Sequence, residues 1–328
     1  MSKVAICIPT YNDEGGVSRL LHSIKEQTFT DFEIIITDDT RDDRVKCALE
    51  PFLTDMSETD EDCVQGMLKL KNETDICVRY YHNKEQLGPA PNWNKAISGV
   101  DSEYIKIMHQ DDWFSFEDSL NEYVKMLDED KDALLAFSGS RQVSIKSDDP
   151  TDVSSFYDRA ITDEQFKELK DDPRKIYINQ YIGAPSAVIY RNNGYLFDPP
   201  LRWLVDADFY IGILKDNGRM VYTKKPLVSI GVSEGQMTNS CAENPEVNIR
   251  EYTHLFKKYD LGSEPGCRKK FIDKVVYFKG TFDDVKDCGI SKEEFRESYM
   301  QRKKYLRNFY FHLILRKLHF EKGSGTDK

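Results

Sequence analysis

The chain has no Cys-x-x-Cys pair: its seven cysteines stand singly at positions 7, 47, 63, 77, 241, 267 and 288. Such an odd, dispersed set supplies neither a disulfide frame nor a metal-ligand spacing, and it points to reduced thiols in a cytoplasmic protein. No apolar run approaches the roughly 18–20 residues of a membrane-spanning helix. The N-terminal VAICI stops at Pro9 after five residues, too short for a secretory leader. Positive charge is also in deficit. A net charge of −11 disfavours a general nucleic-acid binder. Two nucleotide signatures are missing, since no GxGxxG follows a strand and no GxxxxGK[ST] occurs. Hydride-transfer and P-loop chemistry thereby lose their main support.

What is present is a chain of 328 residues, long enough for one large core with a helical extension. The β-branched run at 3–8 predicts a buried strand, and Val17, Leu20, Leu21 and Ile24 have helical spacing. EIIITDD (33–39) predicts a second strand, 44–53 a helix, ICVRYY (76–81) a third strand, 91–99 a short helix and YIKIMH (104–109) a fourth strand. The acidic stretch 55–62 reads as a solvated, turn-rich insertion. Strand and helix alternate with connections too long for hairpins, which predicts a mostly parallel sheet covered on both faces. Further on, ALLAF (133–137) and SAVIY (186–190) read as strands, and 206–216 as a helix stopped at Asn217-Gly218. MVYTKKPLVSIG (220–231) reads as strand, turn at Pro226, strand, and the pattern after about 246 is helical. The expected organisation is a catalytic domain over 1–240, with halves at about 1–115 and 116–240, followed by a helical extension over 241–328.

In open parallel sheets, ligands bind beyond the carboxyl ends of the strands. Polar residues gather at those ends: Thr10, Tyr11, Asn12 and Asp13 after the first strand, Asp38 and Asp39 after the second, Asp111 and Asp112 after the fourth. A site with carboxylates in place of a glycine cradle would bind phosphate through a divalent cation, Mn²⁺ or Mg²⁺. Each cluster also has a plainer use. Asp38-Asp39 and Asp111-Asp112 can cap the helices that follow, and Asp206 can answer a helix dipole from the first turn.

VAICIPTYND, QTFTDFEIIITDD, HQDD and VDADF, in this order over about residues 3–235, resemble a family 2 glycosyltransferase. The resemblance implies a GT-A-type α/β nucleotide-binding sandwich and inverting transfer of a sugar from a nucleotide diphosphate, UDP-linked by preference. The acceptor it implies is a glycan or a lipid-linked oligosaccharide. It further implies that Pro9, Thr10 and Tyr11 flank the nucleotide and that Asp39 accepts a hydrogen bond from the uracil ring. Asn83 and Asn94 would lie beside base and ribose, Asp111 and Asp112 would form the metal and ribose pair, with Asp112 the main metal ligand, and Asp206 would be the base. His109 stands where many members have an Asp, and Ser233 where many have a His; as a zinc ligand His109 has no partner spacing. The GAPSAV segment (183–188) falls where the family presents its acceptor loop. Two rivals carry other chemistry: a nucleotidyltransferase, which would open with a basic glycine-rich loop where this chain has PTYNDEGG, and a non-catalytic scaffold.

The stretch 299–322 holds seven Lys/Arg against a single Glu321. Tyr305, Phe309 and Leu313 form an i, i+4 column with Leu306, Tyr310 and Ile314 beside it. That pattern suits either a packed helix or peripheral contact with an anionic membrane at its inner face.

Overall fold

The computed structural model describes residues 1–328 except 61, 147–148, 217, 234–240 and 324–328, and side chains except also those of 146, 149–154 and 309–323. The chain divides into two compact units, Met1–Ser240 and Cys241–Lys328.

The first unit is built on one sheet. Its centre is β1 (Val4–Thr10), every residue of which is buried. β1 lies parallel to β2 (Phe32–Asp38) on one side and to β6 (Tyr104–Ile107) on the other. β2 in turn lies parallel to β5 (Asp75–His82). β1, β2 and β6 are covered on both faces and buried almost throughout, whereas β5, farther from the centre, alternates buried with part-exposed residues. Ile6, Ile8, Ile34 and Ile36 are wholly excluded from solvent, each contributing about 1.5–3 kcal/mol through burial. α1 (Glu14–Lys25) packs Val17, Leu20, Leu21 and Ile24 inward, and the Asp13 carboxylate caps it by accepting from the Gly16 N–H at 2.8 Å. α2 (Arg44–Leu49), α3 (Pro89–Ile97) and α4 (Ser119–Glu129) complete the helices of this half.

Parallel register aligns the strand ends. Thr10 pairs with Asp38, and Asp38 with His82, so three carboxyl-terminal residues stand in one row. Beyond β6 the sheet turns antiparallel through β10 (Val188–Arg191), then β8 (Ala133–Lys146), then β11 (Arg219–Val232) parallel to β8, and ends on the short β7 (Asp112–Phe114). β9 (Asp149–Arg159) pairs with β8. α5 (Asp163–Asp171) and α6 (Val205–Leu214) lie between these strands in sequence.

Two expectations are corrected. The stretch 55–62 is not turn-rich: β3 (Leu53–Asp60) and β4 (Cys63–Lys69) form an antiparallel hairpin that extends the sheet past β5. β3 is an edge strand, exposed at every position after Leu53, so acidic side chains are tolerated while the backbone still pairs. Pro226 does not break its segment into two strands. β11 runs through it with register shifts on either side, the bulge by which a residue without an N–H is accommodated in a ladder.

The second unit contains α7 (Pro245–Lys258), α8 (Pro265–Tyr277) and α9 (Lys292–Gly323). Phe256 and Phe271 stack at 4.3 Å between ring centroids. Arg268 donates to both carboxylate oxygens of Glu294, at 2.6 and 2.9 Å.

Candidate functional site

At the ends of β1 and β2, Asp38 is a structural pin. It is fully buried and accepts from the Thr10 hydroxyl at 3.0 Å, the Thr40 N–H at 2.9 Å and the Tyr80 hydroxyl at 2.8 Å. Burial beside this carboxylate pushes the Tyr80 phenol pKa upward. Asp39, one residue on, holds the loop that enters α3. Its Oδ1 accepts from Asn83 Nδ2 at 2.6 Å and the Leu87 N–H at 3.1 Å, and its Oδ2 from the Gly88 N–H at 2.8 Å. The Asn83 side-chain oxygen Oδ1 accepts from Lys95 Nζ at 2.7 Å. A cavity of about 280 Å³ opens beside Asp39 and Asn83, with Arg41, Lys46 and His82 also on its wall. Tyr11 is 43% exposed, and its backbone is clasped in both directions by the Gln110 side chain, at 2.6 and 2.8 Å.

The second cluster follows β6. Ligand atoms of His109, Asp111 and Asp112 all lie within 4.8 Å of one another. Asp112 is not a loop carboxylate: it opens β7, is 2% exposed, and accepts from the Gly231 N–H at 3.2 Å. Gly231 is required there, because a Cβ would run into the Asp111 carbonyl. Burial first, then the neighbouring Asp111, drives the Asp112 pKa well above the usual carboxylate range. Burial holds that of His109 below its usual value, and its Nε2 is shielded from solvent with no hydrogen-bond partner. An orphaned imidazole nitrogen beside two carboxylates is a donor set that fits a divalent cation, whose charge would offset the cost of ionising Asp112.

Ser186 sits under this cluster. Its hydroxyl accepts from the His109 N–H at 2.9 Å and bonds Asp112, and its carbonyl accepts from Lys106 Nζ. Lys106 is fully buried at the centre of the sheet, 4.6 Å from the Tyr123 ring centroid, and burial lowers its pKa.

The third element is the start of α6. Asp206 is half-buried, with Oδ1 accepting from the Ala207 N–H at 2.8 Å and Oδ2 from Gln180 Nε2 at 2.5 Å. Burial pushes its pKa up to about 6. Asp208, two positions on, is completely buried. Gln180 also bonds Gly183, so one segment touches Asp206 at one end and Asp112 at the other. From Gly183 to Ser186 the chain can span about 10 Å at most.

A profile of Glycosyl transferase family 2 matches residues 5–191, more than half of the chain. The chain belongs to glycosyl transferase family 2. Over 225 residues it is 26% identical to an uncharacterized protein of Mycobacterium tuberculosis, covering 64% of this chain and 61% of that one. It is 25% identical over 131 residues to the poly(ribitol-phosphate) beta-N-acetylglucosaminyltransferase TarS of Staphylococcus aureus, covering 39% of this chain and 19% of TarS. A third relative is the GalNAc(5)-diNAcBac-PP-undecaprenol beta-1,3-glucosyltransferase of Campylobacter jejuni, 25% identical over 113 residues, 34% of this chain and 30% of that enzyme. The chain therefore spans less than two thirds of the length of each of these relatives. In structure it resembles TarS residues 1–349 in complex with UDP-GlcNAc, with a TM-score of 0.59 at 16% identity over 93% of this chain and 92% of that one. That likeness establishes the GT-A fold.

Within this family 2 domain, Pro9, Thr10, Asp39 and Asn83 come together at the ends of β1, β2 and β5, and Asp111 and Asp112 join His109 after β6. Asn94 is turned elsewhere: its side chain bonds the Phe197 backbone in both directions, each at 2.8 Å. Trp93 packs against His109 and Phe197, with centroids 4.6 and 5.1 Å away. The sequence reading missed Gln110, Gln180 and Ser186, and it left His109 without ligand partners. The HQDD run held the signal for His109. The expectation resting on the side chains of 309–322 falls outside the described residues.

Proposed function

We propose that the chain is an inverting glycosyltransferase that moves a sugar from a UDP-linked donor onto an acceptor hydroxyl. The observation that carries this reading is the segment 180–186, which ties a carboxylate with a pKa near 6 to the His109–Asp111–Asp112 cluster. Transfer breaks a sugar–phosphate bond and forms a sugar–oxygen bond on the opposite face. The acceptor hydroxyl loses its proton as it attacks, and Asp206 is the group to take it, since a base works best with a pKa close to the working pH. A single base and direct displacement invert the anomeric carbon, which passes through an oxocarbenium-like state. His109, Asp111 and Asp112 would hold Mn²⁺ or Mg²⁺, which supplies positive charge against the departing diphosphate. Asp39 and Asn83 would meet the uracil ring and Thr10 and Tyr11 the nucleoside. Asn94 would keep the 197 segment in place beside them.

The UDP preference is supported by the UDP-GlcNAc bound to the structurally similar TarS. Synthesis of a bacterial surface polysaccharide or a lipid-linked oligosaccharide is supported by the names of the TarS and Campylobacter relatives. Residues 1–240 would carry the chemistry and 241–328 would be an extension. Incubation with UDP-GlcNAc, UDP-glucose and UDP-galactose, with and without Mn²⁺, tests the reading through released UDP. Mn²⁺-dependent release from one of them is expected. Formation of a nucleotide sugar from a sugar phosphate and UTP would mark a nucleotidyltransferase instead, and inertness toward every donor would favour a scaffold.

A further inference from the structure

Gln180 belongs to no regular element. It lies between the single turns Pro173–Tyr177 and Pro185–Ala187, yet its one side chain makes three hydrogen bonds. Its oxygen accepts from the Gly183 N–H at 2.7 Å, and its nitrogen donates to the Gly183 carbonyl at 2.9 Å and to Asp206 Oδ2 at 2.5 Å. A primary amide has two N–H donors, so one serves the loop and the other the carboxylate. The loop is shaped for this. Gly183 has φ +97°, a left-handed conformation that side chains resist, and its carbonyl also accepts from the Tyr210 hydroxyl at 3.1 Å.

The groups around Asp206 can be named from each neighbouring element. α6 contributes the Ala207 N–H, at 2.8 Å, and the Tyr210 phenol, which burial keeps protonated. β9 contributes Arg159, whose guanidinium donates to the carbonyls of Gln180 and Tyr181 at 3.1 and 3.4 Å and places a positive charge near Asp206. The loop contributes Gln180. Burial raises the proton affinity of the carboxyl, while the amide donor and the guanidinium favour its charged form.

We propose that Gln180 is a positioning residue that fixes the orientation of the Asp206 carboxylate and holds it in its proton-accepting form. This role rests on Asp206 being the base of the proposed transfer. With one oxygen turned to the Ala207 N–H and the other to Gln180, the carboxylate plane is set by the chain. Each oxygen has a second lone pair, and that is where an acceptor hydroxyl would donate.

The test is a carbon-13 titration of the aspartate carboxyls in the full chain, with the Asp206 resonance identified by its loss in Asp206→Asn. Gln180→Leu removes all three hydrogen bonds. Gln180→Glu keeps the acceptor for the Gly183 N–H but loses both donors and adds a negative charge, so it should raise the Asp206 midpoint further than Gln180→Leu does. In both variants the Asp206 midpoint should rise by about one pH unit or more, roughly a tenfold gain in proton affinity. The ascending limb of the pH–rate profile for UDP-GlcNAc hydrolysis should move with it, while UDP affinity stays unchanged. An Asp206 midpoint in Gln180→Leu equal to that of the parent chain would overturn the proposal. Wild-type turnover by Asp206→Asn would instead remove the base assignment, and the carboxyl titration would still report whether Gln180 governs that group.

Discussion

The backbone N–H of His109 donates to the Ser186 hydroxyl at 2.9 Å. That bond ties the residues after β6 to the segment that reaches Asp206, and so links the His109–Asp111–Asp112 cluster to that carboxylate. Removing the hydroxyl in Ser186→Ala leaves a buried N–H without its partner, at a cost of about 1–3 kcal/mol. It also frees His109 and Asp112 to move, so Mn²⁺ affinity should fall, and Ser186→Thr should restore part of both. Urea denaturation and Mn²⁺ titration by electron paramagnetic resonance check the two effects.

The proposed metal ligands separate folding from binding. His109→Ala and Asp111→Asn should each weaken Mn²⁺ binding by tenfold or more, about 1.4 kcal/mol. Asp112→Asn should do the same without lowering stability, because its amide oxygen can still accept from the Gly231 N–H and burial disfavours the charge that the substitution removes. Full activity in excess EDTA would contradict the metal assignment altogether.

For the nucleotide, UDP should raise the melting temperature and GDP should not. The stabilisation is about 2–3 kcal/mol at a hundredfold excess over Kd. Asp39→Ala should abolish the difference, since it removes the acceptor for the imide N–H. Equal shifts for UDP and GDP in the parent chain would count against Asp39 as the uracil contact.

The Asp206 carboxyl also makes a pH-dependent contribution to stability. Its pKa is raised in the folded chain, to about 6 from 3.8, so the folded state binds more protons than the unfolded state between those values. Stability is therefore lost as pH rises through that window. Asp206→Asn should be more stable than the parent at pH 8, by up to about 3 kcal/mol, with the advantage vanishing below pH ~4. Chemical denaturation at pH 4, 6 and 8 measures this. The rate of transfer should rise over the same range, as the base loses its proton.

Membrane contact through 299–322 would require exposed basic residues on α9. Among the described residues no helix is long and apolar enough to cross a membrane. Arg302 packs over the Tyr277 ring at 4.3 Å, so only part of the basic face is available. Joint replacement of Lys303, Lys304 and Arg307 by Glu should abolish flotation with vesicles containing phosphatidylglycerol. Equal flotation of both proteins, or of neither, removes the membrane idea.

The strand ends were legible because an uninterrupted β-branched run closing on carboxylates can mean little else in a covered parallel sheet. Asp38 and Asp39 show where that reading stops. The sequence places them side by side, and only the hydrogen bonds make one a pin and the other a loop holder. The β3–β4 hairpin was hidden because an edge strand needs no hydrophobic alternation, and β11 was split on paper because Pro226 signals a turn unless a bulge receives it. His109 became a metal-ligand candidate only once its Nε2 was seen buried without a partner. Gln180, 26 residues from Asp206, lies on no periodic element, and nothing in its local sequence points to the carboxylate.

The most direct test of the account is single-turnover transfer or hydrolysis of a UDP-sugar with Mn²⁺, run beside donor binding, for the parent chain, Asp206→Asn and Asp208→Asn. The account predicts Mn²⁺-dependent release of UDP by the parent. It predicts a loss of about 10²–10⁴-fold in Asp206→Asn with donor affinity kept, and a smaller loss in Asp208→Asn. Near-parental transfer by Asp206→Asn with an inactive Asp208→Asn would contradict it.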